Sequence, residues 1–214
     1  MDILLAIFMG IALSAACGFR VFVPLFVAAI GVRTGDIQVI ESFAWIGSDA
    51  ALVLLGVATA AEILGYYVPW VDNALDTIAT PAAIVAGTLV TASFIVDMNP
   101  MFRWTIALIA GGGVAGTIQM ATVGVRALST ATTGGLGNPI VSTAETATST
   151  VLAILAIVLP ILTVLIVTII GVMIVRKVVR SRKALPAASP IHASVDGVPV
   201  QVTAVRVTTP AAPY

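Results

Sequence analysis

Cysteine and histidine are nearly missing from this chain of 214 residues, which has one of each, Cys17 and His192. A single cysteine excludes an intrachain disulfide, and neither a thiolate zinc site nor a CxxCH haem attachment can be assembled from it. Because His192 falls near the C-terminus, the apolar body of the chain has no imidazole for a metal, a haem or a Ser-His nucleophile pair. Charge is equally scarce. Only 9% of residues are charged and the formal net charge is zero, whereas roughly a quarter of a soluble domain is charged. Nothing in that balance points to a nucleic acid. The glycine-rich segments GGGVAG and GGLGNP have neither of the two phosphate-loop spacings. A basic region before the first apolar run is absent too, and the second residue is Asp2, so the N-terminus reads as a first membrane helix rather than a cleaved signal.

What the chain does have is apolar surface, at 59% of residues and a mean hydropathy of +1.13. Its expected partner is therefore a lipid bilayer. Spanning the hydrocarbon takes about 20 apolar residues in a helix, and five stretches meet that requirement: 3–30, 50–70, 80–98, 104–127 and 149–175. The expected fold is all-α, a polytopic bundle of about five transmembrane helices over 1–183, followed by a Pro/Ala/Val-rich tail over 184–214. The first stretch carries Gly18, Arg20 and Pro24 in its second half, which predicts a broken first helix. Between the first two spans, mixed charges and Trp45 suggest a loop with a short interfacial helix. The link 71–80 reads as acidic, with Pro81 where a helix can begin. Asp97 to Pro100 reads as a tight turn. Asn138 and Pro139 mark a short helix ahead of the fifth span.

Half of all lysines and arginines lie in one stretch, Arg176, Lys177, Arg180, Arg182 and Lys183. The positive-inside rule puts that stretch in the cytoplasm, and counting back across five crossings puts the N-terminus outside. In the tail, Val198, Val200 and Val202 alternate, so the segment reads either as disordered or as a strand pairing with a neighbouring subunit.

An internal repeat is visible. Gly10 to Arg20 and Gly116 to Arg126 share the spacing G-x7-G-x-R. Three spans separate the starts of the two copies, which predicts an inverted repeat with a second break at Gly124 and a polar site where the two breaks meet near the midplane. The other reading of these glycines is close helix packing.

Ionisable groups at membrane depth are expensive, roughly 2.5–3.5 kcal/mol each on insertion scales, and usually mark function or pairing. The candidates for a ligand or ion pathway are Arg20, Glu62, Asp72, Asp76, Arg126 and Glu145. Glu62 is placed near the midplane, either paired with Arg20 or acting as an ion or proton site. Asp72 and Asp76, spaced i, i+4, share one face if their segment is helical. Arg126 and Glu145 read as surface positions. No metal ligands and no catalytic residues are assigned, no cofactor is specified, and an enzymatic role is not expected.

The segments GFRVFVPLF, AAEILGYYVPWVDNALDTIATPAA and GGLGNPIVSTAE are similar to those of the bacterial membrane family catalogued as domain of unknown function 4126. The resemblance implies a polytopic inner-membrane protein without an assigned activity. It marks Gly18, Arg20, Pro24, Glu62, Asp72, Asp76, Asn138, Pro139 and Glu145 as characteristic positions. The chain departs from the family at Gly65 to Val68, where a Lys-like residue is common. The functional expectation is a small-solute or ion transporter or channel, a homo-oligomer, with a polar centre at Arg20 and Glu62. A scaffold or assembly subunit is the alternative.

Overall fold

A computed structural model describes residues 2–96, 98–183, 191–195 and 198–202. Its helices are α1 (Ile3–Cys17), α2 (Phe22–Thr34), α3 (Asp49–Gly65), α4 (Pro69–Phe94), α5 (Pro100–Ile106), α6 (Gly113–Thr133), α7 (Asn138–Val158) and α8 (Pro160–Lys183). A 3-10 turn, Glu41–Gly47, precedes α3, and a π-helical segment, Ala107–Gly112, joins α5 to α6. Residues 1–169 form one compact unit and 170–214 a second. In the second, strands β1 (Ile191–Val195) and β2 (Val198–Val202) pair antiparallel, with Ile191 opposite Val202. The alternating valines thus find their partner within their own chain rather than in a neighbour. The rest of the tail, 184–190 and 203–214, lies outside the described residues, as does Asp97 of the expected turn.

The bundle is all-helical, as its composition requires. Among the described residues, three helical stretches are long and apolar enough to cross a bilayer, against the about five expected: Ala74–Phe94, Pro100–Thr133 and Asn138–Val158. A fourth is added if Glu41–Gly47 and α3, bent by 65° to each other, count as one span. Pro81 does not start a helix, because α4 runs from Pro69 straight through it, so the expected acidic link is helical. The predicted fifth stretch is cut at Pro160, which cannot donate to the preceding turn.

The first stretch breaks as predicted, between Cys17 and Phe22, into two helices of 15 and 13 residues. Ala16 lies at Ser149 of α7, Arg20 at Ser142 and Thr146, and Gly31 at Ile157. The chain therefore runs along α7 to Arg20 and then returns. α1 and α2 form a helical hairpin whose tip is the Gly18–Val21 turn. Ile40, just beyond α2, donates to the Ser93 carbonyl at the end of α4, while Ser14 bonds the Gly87 carbonyl and Thr91. The α2 end of the hairpin thus meets the C-terminal end of α4, while Gly10 and Ser14 of α1 pack against Thr91 and Gly87. Pro24 sits in the first turn of α2, where its missing N–H breaks no ladder bond.

Small residues let these helices approach. A Cβ on Gly10 would stand 2.8 Å from the Thr91 Cα, and one on Gly87 would stand 2.7 Å from the Ala115 Cβ and 2.9 Å from the Gly111 carbonyl oxygen. The partner of Gly87 belongs to the π segment, where one extra residue per turn brings the backbone to α4. Gly87→Ala is therefore expected to destabilise the bundle by about 1–3 kcal/mol through overpacking. Thermal unfolding in detergent measures this, and an unchanged midpoint would refute the packing role. Gly124 has open space around it and lies inside an unbroken α6, so no second break exists there.

Candidate functional site

The hairpin tip ends on charge. Arg20 lies in the turn, fully buried, and reaches across to α7. Its Nε donates to Thr146 Oγ1 at 3.0 Å, and its Nη2 donates to the Ser142 carbonyl at 3.0 Å and to Ser142 Oγ at 2.5 Å. The same Nη2 stands 3.5 Å from Glu145 Oε2.

Arg126 comes to that point from α6. Its Nη2 donates to the same oxygen of Glu145, while its Nη1 lies 2.5 Å from Asp76 Oδ1 and 3.4 Å from Asp72 Oδ1. Both guanidinium carbons also stack on one ring, at 4.0 and 3.9 Å from the centroid of Tyr66. Asp72 is held in turn by Asn138, whose Nδ2 donates to Asp72 Oδ2 at 2.9 Å and to Thr130 Oγ1 at 3.0 Å. Asn138 and Pro139 do open a helix, but it is the long α7 itself, and Asn138 also belongs to the cluster.

Glu62 does not pair with Arg20. Its Oε1 accepts from the Val21 amide at 2.7 Å and its Oε2 from the Phe22 amide at 3.0 Å. A carboxylate from α3 thus caps the start of α2, where free N–H groups and the helix dipole favour negative charge. It lies in the last turn of α3, at the end of a helix rather than near its middle.

All six candidate residues therefore gather in one place. Arg126 and Glu145, expected at the surface, are buried with Arg20, Glu62 and Asp72, and Asp76 is partly buried. Asp72 and Asp76 share a face because α4 is already helical there. The reading missed Tyr66, Ser142, Thr146 and Thr130, since a tyrosine and small hydroxyls in apolar helices carry no distinctive pattern. A hint existed for Tyr66, which lies in the segment where the chain departs from its family resemblance.

The cluster is off-centre. At 1.5 Å per residue, Glu145 is about 10 Å from the Asn138 end of α7 and about 20 Å from its Val158 end. Asp76 is about 10 Å from Pro69 and about 27 Å from Phe94. The two motif arginines thus meet on the side of the bundle nearer the links 66–68 and 134–137.

Four buried polar atoms of the cluster have no hydrogen-bond partner among the described residues: Arg20 Nη1, Arg126 Nε, Asn138 Oδ1 and Glu145 Oε1. Orphaned buried groups typically lose about 1–3 kcal/mol each, so such atoms point to an occupant. The cluster can hold a small polar or charged species and exchange hydrogen bonds with it. No group of three or more His, Cys, Asp or Glu among the described residues is arranged to hold a metal ion.

A model of the family described as a domain of unknown function, DUF4126, matches residues 7–180, which takes in every residue of the cluster. No curated protein and no solved structure matches the chain.

Proposed function

This chain belongs to the DUF4126 family over most of its length, and from that premise we propose that it is a small-solute or ion transporter, or a channel, working through the buried charge cluster. The observation that carries the reading is the convergence of Arg20, Asp72, Asp76, Arg126 and Glu145 on one point, with orphaned donors and acceptors among them. A bundle that needed only helix packing would place such groups apart or pair them completely. The helical hairpin supports the reading as well, because interrupted helices bring backbone and charge to a site inside the membrane. The convergence of the two motif arginines favours a repeated origin for the two halves.

The proposed setting is a bacterial inner membrane, with the basic stretch Arg176 to Lys183 on the cytoplasmic side. Because α1 and α2 fold back, the N-terminus shares an end of the bundle with Arg33 and Arg103. The positive-inside rule then favours a cytoplasmic N-terminus over the external one that five crossings imply. A homo-oligomer belongs to the same proposal.

Flux into proteoliposomes loaded with a panel of monovalent ions and small polar solutes tests the function. Arg20→Ala and Asp76→Asn are expected to lower the flux about tenfold or more, equivalent to about 1.4 kcal/mol on the barrier. Unaltered flux in folded variants would remove the cluster from the pathway. Absence of flux for every member of the panel would favour the scaffold reading.

A further inference from the structure

The charges of the cluster do not balance. Glu62, Asp72, Asp76 and Glu145 contribute four negative charges, and Arg20 and Arg126 contribute two positive ones, leaving a formal −2. The other two arginines of residues 1–169 are elsewhere. Arg33 pairs with Asp49 at the surface, and Arg103 lies in α5, beyond the far end of α4. The start of α2 offsets about half a charge at Glu62. More than one carboxylate is left without a cation among these side chains, and buried charge of one sign is met either by a bound proton or by a counter-charge.

An excess of acids alone would not define a site, but the orphaned atoms are a second, independent sign. Asn138 is 9% exposed and Glu145 5%, and each presents a buried acceptor that no protein donor reaches. Both Nδ2 hydrogen bonds of Asn138 are already directed at Asp72 and Thr130, which fixes its amide and leaves Oδ1 free for an incoming donor. Asp76 is the rim of the arrangement. Its side chain keeps 17% of its surface exposed, whereas that of Asp72 keeps 4%. The cluster lies closest to the end of the bundle that carries the links 66–68 and 134–137, and Asp76 gives it an opening there.

Resting on the transport reading, we infer that the cluster is a binding site for a small monovalent cation that brings its own hydrogen-bond donors, either an ammonium-type ion or a hydrated alkali ion. The N–H or bound-water O–H groups of such an ion match Glu145 Oε1, with Asn138 Oδ1, about 10 Å further along α7, reached through bound water, and its charge offsets the excess of carboxylates. Water carried with it supplies acceptors for Arg20 Nη1 and Arg126 Nε. A bare multivalent ion needs a tighter ring of carboxylates than the structure offers.

Thermal unfolding of the purified full-length protein in detergent provides the test, with ammonium, methylammonium, sodium, potassium and tetramethylammonium chlorides compared at equal ionic strength. A saturable rise in midpoint with ammonium and methylammonium, absent with tetramethylammonium, is expected for an N–H cation. A rise confined to sodium or potassium identifies a hydrated alkali ion instead. In Asp76→Asn the half-saturating concentration should increase about tenfold, and Glu145→Gln should abolish the rise if the variant folds. Equal midpoints in all five salts would overturn the inference, whatever the flux assay gives. A saturable rise without flux would keep the site and remove transport.

Discussion

Arg126→Met is expected to lower the stability of the bundle by about 3–5 kcal/mol, the range for stripping one partner from a buried ion pair. Methionine fills a similar volume, so packing is not the main loss. What goes is the one cation that touches Asp72, Asp76 and Glu145 together, and three carboxylates are left facing one another. Arg20→Met should lose less, because Arg20 is held chiefly by Ser142 and Thr146 and only shares Glu145. Chemical or thermal unfolding followed by helical circular dichroism measures both. Adding Asp72→Asn to Arg126→Met should recover part of the loss. A loss below about 1 kcal/mol for Arg126→Met would mean that the pairs do not hold the helices together.

The second large effect is expected at Glu62. Glu62→Ala removes two charge-assisted hydrogen bonds to the Val21 and Phe22 amides, each typically about 1.5–3 kcal/mol, and exposes the start of α2 to a dry environment. A loss of about 3–5 kcal/mol follows from these bonds, and Glu62→Gln, which keeps one acceptor, should lose about half of it. Amide hydrogen exchange locates the effect. Val21 and Phe22 should exchange faster in both variants while the middle of α4 keeps its protection. Unchanged exchange at those two amides would rule out the capping role.

Much of this centre was legible because charge is so rare in the chain. Arginines and carboxylates inside apolar stretches have few ways to be satisfied, so Arg20, Glu62, Asp72, Asp76, Arg126 and Glu145 stood out one by one. Their pairing was not legible. Glu62 and Arg20 look like natural partners, yet the backbone of α2 claims Glu62 and α7 claims Arg20. Hydropathy marks how much chain is apolar but not where it turns round. The first stretch is long enough to cross, and only the contacts of Ala16, Arg20 and Gly31 along α7 show that it folds back. Gly124 misled for a related reason. Its spacing copies Gly18, but Gly18 is pressed against Ile118 and Ala115, whereas Gly124 faces open space. A glycine count carries no information about which glycines meet a neighbour.

The helical hairpin also sets an order on synthesis. Its tip residue, Arg20, takes its partners from Ser142, Glu145 and Thr146, more than 120 positions further along the chain. At about 5–20 residues per second, a ribosome needs roughly 6–25 s to reach them. For that interval a permanently charged side chain sits between two helices of 15 and 13 residues, each too short to anchor itself across a bilayer. The hydrogen bonds of the hairpin tip to α7 can therefore close only after α7 has emerged.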